Sequence, residues 1–140
     1  MKKVLFISFY WPPSGKASMH WPLKMIKFLP EFGWQPSVLT VNEDTFTEPD
    51  LSMLKDIDKN LKVYRTNFWD PFTLYKKLLG KKEEDTLVAS EALSKTNKSF
   101  QQKLSIWIRM NFFIPDARMG WYWPGVKKAK EILKNEKFDV

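Results

Sequence analysis

The sequence predicts an α/β protein built on a parallel sheet with flanking helices. Three observations carry this. Val4–Phe9 is a short apolar run without alternation, as expected of a strand covered on both faces. Pro12, Pro13 and Gly15 then enforce a loop, and a segment of helical period follows up to Gly33. Ser37–Val41 is a second apolar run. Strand, loop, helix and strand make a βαβ unit whose loop lies at the carboxyl end of the first strand. Ligands of open α/β sheets collect at that edge.

The remaining elements follow in order. In the first helix Pro22, Met25, Ile26 and Leu29 recur at helical spacing, with Lys24 and Lys27 opposite, and Gly33 serves as its stop. Thr47-Glu48-Pro49-Asp50 reads as a helix start with proline in the first turn, leading into Leu51–Ile57. Lys62–Thr66 alternates and is expected to be a third strand. Asp70-Pro71 opens a further helix carrying Phe72, Tyr75, Leu78 and Leu79, stopped by Gly80. Residues 81–99 are polar and fit an exposed helix or a loop. Helical spacing returns at Phe100, Leu104, Trp107 and Ile108, breaks at Ile114–Arg118, and resumes with Tyr122, Val126, Ala129 and Leu133. Phe138-Asp139-Val140 reads as the entry to a fourth buried strand. A chain ending there is expected to be a piece of a longer protein.

Composition narrows the function. At 140 residues the chain suits one ordinary domain, and 44% hydrophobic with 28% charged residues is globular. Seven Trp and eleven Phe exceed what a small sheet's core needs, so some are expected to line a cleft or meet a neighbour. The net charge of +7 favours anionic partners: nucleic acid, acidic lipid or phosphorylated small molecules. The absence of cysteine excludes disulfides and thiolate sites, and a single histidine leaves little scope for a His-rich metal centre or a Ser-His-Asp triad. No run approaches the ~20 apolar residues of a membrane span, and Val4–Phe9 ends without a cleavage site of the secretory type. A cytoplasmic protein is expected.

Four features carry candidate chemistry. The loop at residues 12–16, Pro-Pro-Ser-Gly-Lys, can offer backbone N–H groups and Lys16 to a phosphate. It matches neither a Walker A loop, which needs glycine at Tyr10 and Ser or Thr at Ala17, nor a dinucleotide fingerprint. It also fits a strand-to-helix turn with no ligand. His20 is either a general base near that loop or a packed or solvent-facing residue. Asp116 and Arg118, set among aromatics, fit a helix cap with its counter-charge or an acceptor or phosphate contact in a cleft. The lysines at 76, 77, 81, 82, 127, 128, 130, 134 and 137 flank amphipathic helices and fit a solvated face or an anionic membrane surface. No RNA-recognition or zinc pattern accompanies them, so no nucleic-acid partner is expected.

Phe9-Tyr10-Trp11-Pro12-Pro13-Ser14-Gly15, then Pro22-Leu23-Lys24, then Phe28 through Pro36, resembles the start of retaining, family-4-type bacterial glycosyltransferases of GT-B architecture. A second match runs from Ile114-Pro115-Asp116-Ala117-Arg118 with Trp121 through Pro124, Val126 and Lys127 to Phe138-Asp139-Val140. The resemblance departs at Lys16, where the family commonly has a second glycine, and at Trp21, where an arginine is frequent.

The resemblance implies a Rossmann-like, acceptor-side domain over residues 1–140, truncated before a donor-binding half, with residues 67–112 as an insertion-like helical segment. The implied activity is transfer of a sugar from a nucleotide-sugar donor to a glycan, polysaccharide or lipid-linked acceptor, with the 140 residues inactive alone. The implied contacts are Ser14, Gly15 and Lys16 for the donor diphosphate, and His20, Asp116 and Arg118 for the acceptor. No cofactor and no metal are expected, since the nucleotide sugar is a co-substrate. The chain's own C-terminal domain is an expected partner, and a peripheral position at the inner face of a membrane fits a lipid-linked acceptor. The alternative is a free-standing basic module that binds a nucleotide or a partner protein.

Overall fold

The computed structural model describes residues 1–46, 49–69 and 117–140. The chain divides into two compact units, Met1–Phe68 with Trp121–Val140, and Trp69–Gly120. The second overlaps the segment read as an insertion; its described residues are Trp69 and 117–120, the latter in a 3-10 turn. The helices expected after Asp70-Pro71 and around Trp107, and the polar stretch 81–99, lie outside the described residues.

The first unit holds a three-stranded parallel sheet in the order β1-β2-β3, formed by Lys2–Ile7, Trp34–Val41 and Lys62–Thr66. The third strand has the expected bounds. The first lies two residues earlier than expected: Ser8 gives β2 a last N–H, to the Leu39 carbonyl at 3.0 Å, and turns its hydroxyl to the Tyr10 carbonyl at 2.8 Å as the chain bends into the loop. The second begins three residues earlier, since Gly33 (φ 78°) reverses the chain directly into it. Pro36 is tolerated in this middle strand because β3 pairs only from Ser37 onward, so the missing N–H removes no ladder bond.

Beyond β1, the last residues add main-chain bonds on the edge away from β2. Lys2 donates to Gly33, just before β2, and Ser8 to Leu39 within it, whereas Leu5 donates to Val140 (2.9 Å) and Val140 and Asp139 donate to Lys3 (3.3 and 2.8 Å). This alternation is the parallel pattern. Of the fourth strand expected from Phe138, these bonds are what the described residues contain. They lay Asp139–Val140 alongside β1, on the edge opposite β2.

The register sorts the two faces. Phe6, Val38 and Val63 stand side by side and meet Trp11, Met19, Leu23 and Ile26. Helix α1, His20–Phe28, therefore covers this face, and Met53, Ile57 and Leu61 from the β2–β3 connection complete its core. The buried face of α1 is Pro22, Leu23 and Ile26; Met25, expected inward, is 41% exposed. The connection itself is not the α-helix predicted from Pro49. Asp50 does cap it, accepting the Ser52 N–H at 2.9 Å, but Leu51–Asp56 winds as 3-10 turns, and Pro49 instead bridges to Ser14.

Helix α2, Tyr122–Asn135, lies over β2 and β3. It buries Gly125 and Ile132; of the expected core row, Tyr122 and Leu133 are exposed and Val126 and Ala129 are half-buried at the flank of that seat. Two causes set this rotation. A Cβ on Gly125 would stand 3.3 Å from the Trp121 ring, so the bare glycine leaves room for that indole under the start of the helix. Just past the helix, Glu136 receives Lys3 Nζ at 2.8 Å, Lys62 Nζ at 3.2 Å and Tyr64 Oη at 3.1 Å, fixing that end to β1 and β3.

Candidate functional site

The carboxyl edge of the sheet is built around the loop after β1. Two side chains on the α1-covered face rise from the strands to hold it. Thr40, fully buried on β2, donates its hydroxyl to the Phe9 carbonyl at 3.1 Å. Its neighbour on β3, Arg65, donates to the Pro12 carbonyl through Nη2 (3.1 Å) and to the Val41 carbonyl through Nη1 (3.2 Å). Glu43 lies 2.8 Å from the same guanidinium. Burial pulls Arg65 below its usual range while Glu43 acts against this, and the group stays charged.

The loop is tied down from both ends. The Pro12–Pro13 peptide is cis. Ser14 N–H closes a turn onto the Trp11 carbonyl at 3.0 Å, and Asp50 N–H donates to the Pro13 carbonyl. Trp11, Pro12, Pro13 and Ser14 are buried, while Gly15 and Lys16 are exposed. Aromatic rings surround this edge: Phe9 packs edge-on against Tyr10, Phe68 and Trp121 at 5.2, 5.2 and 5.6 Å, and Trp121 donates to the Thr66 hydroxyl at 2.7 Å.

The sequence-predicted residues thus separate. Gly15, Lys16 and His20 share the exposed rim of one loop–helix junction. Ser14 sits beside them but is 1% exposed, and its hydroxyl accepts the Lys16 N–H at 3.4 Å, so it shapes the turn rather than facing outward. His20 stands near Asp50, whose carboxyl is held below its usual range mainly by the Ser52 hydrogen bonds and also by His20. Arg118 is exposed, in the other compact unit, and Asp116 lies outside the described residues. Arg65 was not singled out by sequence. Its signal was an arginine near the carboxyl end of an alternating strand, where solvated lysines and arginines are also common.

A cavity of about 350 Å³ lies at the opposite edge, lined by Lys3, Lys62, Tyr64, Lys128, Glu131 and Glu136. Its lysines are already paired: Lys3 and Lys62 with Glu136, Lys128 with Glu131. The Glu136 carboxyl is held down to about 2, chiefly by Lys3. This cluster fixes helix to sheet and offers an incoming ligand little uncompensated charge.

Among the described residues no three His, Cys, Asp or Glu side chains gather as metal ligands, and no helix is long and apolar enough to cross a membrane. Comparisons of the chain with models of protein families, with curated proteins and with solved structures found no match.

Proposed function

We propose that this chain is the acceptor-side, Rossmann-like half of a retaining glycosyltransferase of the GT-B type, which uses a nucleotide-sugar donor. The observation that carries the reading is the position of the loop at residues 8–16. β1 is flanked by β2 on one side and by the main chain of Asp139–Val140 on the other, so a strand formed there would reverse the strand order beside β1. α1 and α2 lie on opposite faces, as in a doubly wound sheet. The carboxyl end of β1 is then the switch point at which such sheets bind ligands.

In this reading the pinned loop presents Gly15 and Lys16 to the donor diphosphate, with Arg65 as positioning residue beneath. Lys16 replaces the second glycine of the family pattern and supplies charge in place of close backbone approach. His20 lies on the acceptor side of the same rim. Catalysis requires a second half to hold the nucleotide, because the reacting groups must be brought into register from both sides of a cleft.

Release of nucleoside diphosphate from a panel of nucleotide sugars, with glycan and lipid-linked acceptors, tests this. These 140 residues alone are expected to show no turnover, and a polypeptide that also carries a donor-binding half is expected to show it. Turnover by the 140 residues alone contradicts the two-domain account.

A further inference from the structure

The rotation of α2 leaves two rows of side chains away from its seat on the sheet. Tyr122, Val126, Ala129 and Leu133 form one, at i, i+4, i+7 and i+11, with Tyr122 61% and Leu133 55% exposed at its ends and Val126 and Ala129 half-buried between them. Trp123, Lys127, Lys130 and Lys134 form the adjacent row at the same spacing, opposite Gly125 and Ile132. Trp123 is 75% exposed. Lys127, Lys130, Lys134 and the nearby Lys137 make no ion pair with a described residue, whereas Lys128, turned toward the sheet, is taken by Glu131.

We infer that α2 lies flat on an anionic phospholipid bilayer, with the Tyr122 row at the acyl boundary and the lysine row among the headgroups. The chemistry matches an interfacial helix: aromatic rings with one polar atom at the helix start, an aliphatic row beside them, and a cationic row without acidic partners. A protein partner would have to offer a continuous negative strip beside an apolar one, which an acidic leaflet provides without further specificity. A second outward stripe, Trp21, Met25, Phe28 and Phe32, follows α1, but its lysines, Lys24 and Lys27, both bind Asp56. Charge therefore singles out α2. This inference does not rest on the transferase reading.

The test is cosedimentation of the 140-residue chain with vesicles of phosphatidylcholine alone or with 30% phosphatidylglycerol. Binding is expected to the mixed vesicles only, falling at least tenfold between 50 and 500 mM salt. The variant Lys127→Gln/Lys130→Gln/Lys134→Gln should bind about a hundredfold more weakly, at about fivefold per lysine. Trp123→Ser, which removes no charge and no core contact, should also weaken binding, whereas Lys59→Gln should not. Circular dichroism and the thermal midpoint check that each variant is folded. Equal binding to neutral vesicles, or wild-type binding by both the triple variant and Trp123→Ser, overturns the inference. So does competition by millimolar glycerol phosphate, which would assign the lysines to a free anion. Lipid-free self-association abolished by Tyr122→Ser/Leu133→Ser would give the face to a second copy, and likewise overturns it.

Discussion

Arg65 Nη2 donates to the Pro12 carbonyl at 3.1 Å, joining the third strand to the loop that follows the first. The same guanidinium reaches Val41, so one side chain on β3 fixes a β1 loop and a β2 carbonyl together. Arg65→Ala is expected to cost about 2–3 kcal/mol, because buried carbonyls lose a charged donor. Hydrogen exchange should locate the loss. Protection of the Ser14 and Asp50 amides should fall before that of the central β2 amides, and uniform loss across the sheet would count against a local role.

Glu136 is expected to contribute to the acid stability of the first unit. Its carboxyl is held at about 2, below the usual 4.5, first by Lys3 and also by Lys62 and Tyr64. A lowered folded-state value means that the stabilisation is fully present above the unfolded pKa and is lost as pH falls from about 4.5 toward 2. Glu136→Gln should cost about 1–2 kcal/mol at neutral pH and flatten the acid limb of a thermal-midpoint-versus-pH curve. An unchanged acid limb in the variant would show that other carboxylates govern it.

Trp11 is fully buried, and its indole Nε1–H has no hydrogen-bond partner among the described residues. An orphan donor costs about 1–3 kcal/mol, so Trp11→Phe should lose little stability, the lost area being offset by removal of that donor. Trp11→Ala, which opens a cavity among Met19, Leu23, Ile26 and Val38, should cost about 3–5 kcal/mol. Urea unfolding of both variants separates the two effects. Similar large losses would mean that the indole N–H is satisfied in solution.

The sheet was legible because its strands are apolar runs divided by Pro, Gly and Asp, each of which restricts the backbone locally. Lys62–Thr66 alternates and matches strand three residue for residue. Helix facing was less legible. The row Tyr122, Val126, Ala129 and Leu133 has the spacing of a core stripe, yet α2 seats on Gly125 and Ile132. A glycine carries no hydrophobic signal, and the anchoring of Glu136 to Lys3 spans 133 positions in sequence. A helix start was readable at Thr47–Asp50, but that Asp50 is its cap and that 3-10 rather than α turns follow depend on tertiary packing. The site divided in the same way. The loop's place at the strand's carboxyl end follows from element order, whereas Arg65 beneath it and the burial of Ser14 follow only from contacts between strands.

The central claim is that the rim formed by Gly15 and Lys16 meets a nucleotide-sugar diphosphate. Titration of the ¹⁵N-labelled chain with UDP- and GDP-sugars, followed by amide NMR, tests it most directly. The account predicts saturable shifts for at least one donor, with millimolar affinity and confined to the amides of residues 14–20 and neighbours such as Asn42–Phe46, and their loss in Lys16→Glu. Shifts that cluster at the Glu136 cavity, or survive Lys16→Glu unchanged, would contradict it, as would no shift with any donor.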